Sequence, residues 1–104
     1  MSDFSPVAKL GELEHGQKKA VEMLGRKLVI VNVNGEHFAM NDTCVHRGAQ
    51  LSDGPLENQY LSCPWHNWVF DVTTGACLTQ PDQRALCYKV KVEGDEVLVS
   101  LDLA

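Results

Sequence analysis

Two short pairs of metal-ligating side chains stand out: Cys44-Val45-His46 and Cys63-Pro64-Trp65-His66, with sixteen residues between them. Two thiolates and two neutral imidazoles are the donor set either of a Cys2His2 zinc site or of a 2Fe-2S cluster with mixed ligands. Spacing separates the two. Structural zinc usually takes two to four residues between paired ligands, enough for both side chains to reach one tetrahedral ion. Cys44 and His46 have only Val45 between them. A two-iron cluster is the wider object, and each pair can give its Cys to one iron and its His to the other without crowding. Charge points the same way. The oxidised cluster core is cationic, so two thiolates and two neutral imidazoles leave the site near neutrality and ready to accept an electron.

These residues and their flanks resemble the Rieske iron-sulfur proteins. Cys44 through Asp53 (Cys-Val-His-Arg-Gly-Ala-Gln-Leu-Ser-Asp) and Cys63 through Gly75 (Cys-Pro-Trp-His-Asn-Trp-Val-Phe-Asp-Val-Thr-Thr-Gly) are similar to the two cluster loops of that family. The resemblance implies one 2Fe-2S cluster, with Cys44 and Cys63 on a buried iron and His46 and His66 on an outer one, their rings near solvent. It also implies a third, proline-bearing loop over the cluster, and Pro81 is the matching residue. The departures carry information too. High-potential Rieske proteins join their loops by a disulfide, and Ala49 and Trp65 stand at those positions here. They also carry a serine hydroxyl donor two residues after the second histidine, where this chain has Trp68, so a low potential is expected. Asn67 replaces the usual glycine after His66, and Asn is the next most tolerant residue if positive φ is needed there.

The segments that must hold these loops read as strands and turns. Phe4 to Lys9 is a short strand, Glu14 to Gln17 a turn and Lys18 to Leu24 a further strand. Lys27 to Val33, Asn34-Gly35 and Glu36 to Met40 predict a hairpin with a type I′ turn, leading directly into the first ligand pair. Leu51 to Pro55 reads as a turn and Leu56 to Ser62 as a hairpin broken near Glu57-Asn58-Gln59. Trp68 to Asp71 is a strand, Val72 to Gly75 its turn and Ala76 to Leu78 the return. Leu86, Tyr88, Val90 and Val92 alternate with polar residues, Gly94-Asp95 turns, and Val97 to Leu101 closes a last hairpin. Trp65 and Trp68 are placed to shield the cluster or to pack beside it. His15 and His37 read as turn or strand-surface residues rather than ligands, which leaves no donor set for a second, catalytic iron. Cys77 and Cys87 fall outside the ligand pattern and read as free core thiols.

With 104 residues the chain is expected to form one domain with a modest core. The formal net charge is −5 and there is no basic cluster beyond Lys18-Lys19 and Arg26-Lys27, which excludes nucleic acid as an expected partner. No run approaches a membrane helix and the N-terminus lacks a signal-peptide pattern, so a cytoplasmic location is expected. The expected architecture is all-β: a Rieske fold in which a cluster-binding subdomain of about residues 41–81 sits on an antiparallel β-sandwich base from residues 1–40 and 82–104. The resemblance implies a monomeric Rieske-type ferredoxin. It would carry one electron from a flavin-dependent NAD(P)H reductase to a terminal, aromatic-ring dihydroxylating oxygenase, without catalysis of its own. A Rieske-type small subunit of another oxidoreductase, such as an assimilatory nitrite reductase, and a zinc-stabilised interaction module are the alternative readings.

Overall fold

The computed structural model describes residues 4–43, 50–64, 68–80 and 83–103, and its elements are almost all strands. These are β1 (Ser5–Lys9), β2 (Lys18–Met23), β3 (Arg26–Val33), β4 (Glu36–Asn41), β5 (Leu56–Glu57), β6 (Tyr60–Ser62), β7 (Val69–Asp71), β8 (Cys87–Glu93) and β9 (Glu96–Leu103). They form two antiparallel sheets. One has six strands in the order β1-β9-β8-β4-β3-β2, and the other has three in the order β5-β6-β7.

The run Leu28-Val29-Ile30-Val31 in β3 is apolar on both faces because both faces are covered. Leu28 and Ile30 point into a base core with Leu13, Met23, Ala39, Tyr88 and Val99. Val29, Val31 and Val33 point the other way, into a second core with Met40, Leu51, Leu61, Cys63, Phe70 and Val72. β3 and β4 are therefore the wall shared by the base and the three-stranded sheet. Each apolar side chain buried in that wall contributes about 1.5–3 kcal/mol. The base core draws residues from all six strands, so the large sheet curls around it. Lys19 helps close the seam between the edge strands, since its Nζ donates to Val7 O at 3.1 Å and pairs with Glu12 at 2.7 Å.

The hairpin expected at Asn34-Gly35 is present, with φ of 54° and 89° at the two turn residues, the left-handed pair that a type I′ turn requires. The β2–β3 turn has the same form, with Leu24 at φ 52° and Gly25 at φ 80°. The turn expected from Leu51 to Pro55 is present as a single 3-10 turn over Leu51–Asp53, in which the Asp53 and Gly54 amides bond back to Gln50 and Leu51 at 3.1 and 3.0 Å. One expectation needs correction. Ala76 to Leu78 make no return strand. Cys77 bridges Phe70 on β7 while Ala76 bridges Arg84, so the segment is divided between two neighbours. Asp71 organises the turn that follows it: one carboxylate oxygen accepts from the Thr73 amide and hydroxyl at 2.9 and 2.6 Å, the other from Gln59 Nε2 at 2.9 Å. Burial pulls this carboxyl upward, but these bonds outweigh it and hold its pKa below the ordinary value.

Candidate metal centre

The two ligand segments leave different sheets, the first after β4 and the second after β6. The first is closed at its base by a bridge between Thr43 and Gln50. Asp42, almost fully buried, is the clamp beneath it. Its amide donates to Lys27 O at 3.0 Å, its carbonyl accepts from the Leu51 amide, and its carboxylate accepts from the Ser52 amide and hydroxyl at 2.6 and 2.8 Å. One buried residue, through its backbone to β3 and Leu51 and its carboxylate to Ser52, thus ties β3, the end of β4 and the 3-10 turn together across the mouth of the loop. Both carboxylate oxygens are satisfied, as burial demands.

The second segment is closed in the same way. Ser62 pairs with Val69, and the Cys63 amide donates to Trp68 O at 2.7 Å. Cys63 itself has no solvent exposure and packs in the core with Leu51, Leu61 and Phe70. The segment that leads to Pro81 is tied to the same place, with the Leu78 amide donating to Val69 O at 2.7 Å. Trp68 is half-buried against this core, so packing is one of its roles.

What sets the two loops side by side is Gly54. A Cβ built there would lie 1.8 Å from Ser62 O and 3.2 Å from Pro64 Cδ. Its φ of −91° suits any residue. Glycine is needed for the close approach of the exit of one loop to the entry of the other.

Of the four expected ligands, Cys63 lies among the described residues, and Cys44, His46 and His66 lie outside them, as do Arg47, Ala49, Trp65, Asn67 and Pro81. Cys77 and Cys87 pack in or against the same core as Cys63. Both are free; Cys77 Sγ lies 3.4 Å from Thr79 Oγ1. Burial pushes the Cys87 thiol up, against a smaller opposing pull from Arg84, which keeps it protonated and inert. His15 is a turn residue whose Nδ1 accepts from the Asn34 amide at 2.9 Å. His37 is not the surface residue expected from its strand: it is buried, and neither ring nitrogen has a hydrogen-bond partner. Its side chain shares a face with Asn32 and Ala39, at the end of the base core far from the ligand loops. Asp42 and Gly54 were not singled out by sequence. The Asp42-to-Ser52 spacing has no common meaning, and Asp-Gly-Pro reads first as a turn.

The residues described fit an iron-sulfur group. A buried soft thiolate donor is presented where two closed loops meet, and mixed thiolate and imidazole donors flank that point in sequence. The comparison with known proteins settles the family. The Rieske [2Fe-2S] domain family matches residues 3–99. This chain belongs to that family. Membership brings one Rieske-type 2Fe-2S cluster. The ferredoxin component of a naphthalene 1,2-dioxygenase system from Pseudomonas aeruginosa is 39% identical over 93 residues, which cover 88% of this chain and 89% of that one. Among solved structures, a chain of the complex of reduced oxygenase and oxidized ferredoxin in carbazole 1,9a-dioxygenase superposes with a TM-score of 0.91 at 27% identity, covering 97% of this chain and 95% of that one. The ferredoxin of carbazole 1,9a-dioxygenase from Nocardioides aromaticivorans IC177 superposes with a TM-score of 0.86 at 30% identity, over 92% of this chain and 95% of that one.

Proposed function

We propose that this chain is the Rieske-type ferredoxin of a multicomponent oxygenase system. It takes one electron from a flavin-dependent NAD(P)H reductase in the cytoplasm and delivers it to a terminal oxygenase that dihydroxylates an aromatic ring. The observation that carries this reading is the two-way coverage: 88% of this chain aligns with 89% of a dioxygenase ferredoxin component.

In this reading Cys44 and Cys63 hold the inner iron and His46 and His66 the outer, and residues of about 41–81 form the cluster-binding unit on a base made by both chain ends. When bound, the cluster supplies a reversible one-electron couple. The chain supplies the rest. Cys63 is delivered from a rigid strand end into a dry core, which excludes water from the thiolate side. Asp42 and Gly54 hold the two loops at a fixed separation, and a fixed geometry keeps the structural change that accompanies electron transfer small. In this reading the electron leaves by way of the iron that His46 and His66 would hold.

The test is direct. Purified protein expressed with iron should be red-brown, with equimolar iron and acid-labile sulfide, and after reduction it should pass its electron to a terminal oxygenase. Colourless protein holding one zinc per chain would overturn the cluster assignment. Coloured protein that reduces no ring-hydroxylating oxygenase would overturn the ferredoxin role alone.

A further inference from the structure

The β2–β3 turn carries an unusual residue in an unusual place. Three described hairpin turns have a side-chain-bearing residue with left-handed φ at their first position, and at two of them the residue is Asn34 or Asn58, the type that tolerates this conformation. At the third it is Leu24, with φ 52° and its surface 85% exposed. A bulky apolar residue there gains no burial and holds a backbone conformation it disfavours, so folding does not explain it. Strain kept at an exposed position points to use outside the fold.

The position supplies that use. Lys27 O accepts from the Asp42 amide, and Gly25 and Thr43 line one surface cleft of ≈ 390 Å³, so the turn stands beside the base of the first ligand loop. Exposed Arg26 and Lys27 follow it directly, and neither reaches a carboxylate within ion-pair distance among the described residues, although Glu22 stands opposite Lys27. With Glu22 also exposed, the turn carries two cations to one anion in a chain of net charge −5. Exposed Val92 and Leu10 lie at the opposite end, beside the β8–β9 turn.

We propose that the Leu24-Gly25 turn is a docking knob for the electron-accepting oxygenase, with Leu24 entering an apolar pocket whose rim carries carboxylates for Arg26 and Lys27. This rests on the ferredoxin reading above. The partner is a protein surface: an apolar anchor ringed by unpaired cations is recognised by a pocket of complementary charge, and the anchor's place beside the ligand loop brings that pocket close to the electron exit.

Leu24→Asn separates docking from folding, because Asn is what this chain uses at its other turns. The holo-protein should melt at a higher temperature. Its transfer rate to the terminal oxygenase of carbazole 1,9a-dioxygenase, or to another oxygenase that the wild type reduces, should fall about tenfold at sub-saturating oxygenase, as expected for loss of one buried leucine. Its reduction by dithionite should be unchanged, and Val92→Thr at the far end should transfer like the wild type. Should Leu24→Asn lower stability, Leu24→Gly gives the same reading without a side chain. An unchanged rate in both variants, an equal loss in Val92→Thr, or slowing only of reduction by the flavin-dependent reductase would each overturn the proposal. A wild-type protein that reduces no such oxygenase would overturn the ferredoxin reading beneath it.

Discussion

Cys63 and Cys77 are both buried and both free, and they stand in different settings. Cys63 is followed three residues on by His66, and its amide donates to Trp68 O, whereas the buried Cys77 has its Sγ against the hydroxyl of exposed Thr79. Cys63→Ser should therefore yield protein without iron or colour, because a hydroxyl is a poor ligand for a soft site. Cys77→Ser should keep a full cluster and cost about 1 kcal/mol, a loss read from denaturant midpoints. His37 makes a different kind of prediction. Burial holds its pKa below the ordinary 6.5, and no carboxylate accepts from its ring. The unfolded chain therefore binds this proton more tightly than the folded one. Folding stability should decline as pH falls below about 6.5, and continue to decline until the folded ring also titrates. His37→Leu removes that contribution, so between pH 8 and pH 5 its urea midpoint should drop by less than that of the wild type. Equal drops would mean the folded protein accommodates an imidazolium at this site.

At the scale of elements, the bases of the two ligand segments are each closed by pairing, Thr43 with Gln50 and Ser62 with Val69, and both bases are held against one another at a single glycine. Gly54→Ala places a Cβ into Ser62 O, a backbone atom that cannot swing aside. The expected cost is about 3 kcal/mol, with iron content reduced because the loops are forced apart. Gly35→Ala offers the contrast. Its left-handed φ is strained by a side chain but nothing lies within 4 Å, so it should cost about 1 kcal/mol and leave the cluster complete. Iron per chain measured beside stability separates the two causes. The difference also marks what could be read from sequence. The hairpin at Asn34-Gly35 was legible because φ requirements are local and have a residue signature. The role of Gly54 was not, because it depends on a backbone that arrives from eight residues further along through another strand. His37 was misplaced for the same kind of reason: its strand alternates correctly, but the residues covering that face come from other parts of the chain.

For the molecule as a whole, the family and the all-β, antiparallel class were legible, since two Cys/His pairs and repeated turn signals constrain them strongly. Charge placement was not. A net charge of −5 suggests a basic partner, but that sum includes Glu36, Glu93, Asp95 and Glu96 at the end of the base away from the ligand loops. Beside the first loop Arg26 and Lys27 are exposed, with the carboxylates of Glu22 and Asp53 also at its base. Both views predict electron transfer that slows with salt, because exposed charges separated by more than about 10 Å are screened at 0.1 M ionic strength. They differ in the effect of deleting positive charge. If net charge steers the encounter, Arg26→Gln with Lys27→Gln makes the protein more acidic and should speed transfer to the oxygenase at low salt. If the local field beside the exit steers it, the same variant should be slower by several-fold and its rate should depend less on salt, because the charges being screened are gone. The geometry favours the second outcome, since the field at a docking site is dominated by charges within a Debye length of it. Stopped-flow transfer rates from about 0.02 to 0.3 M salt decide it, and a faster, more salt-sensitive double variant would return the steering role to the acidic surface.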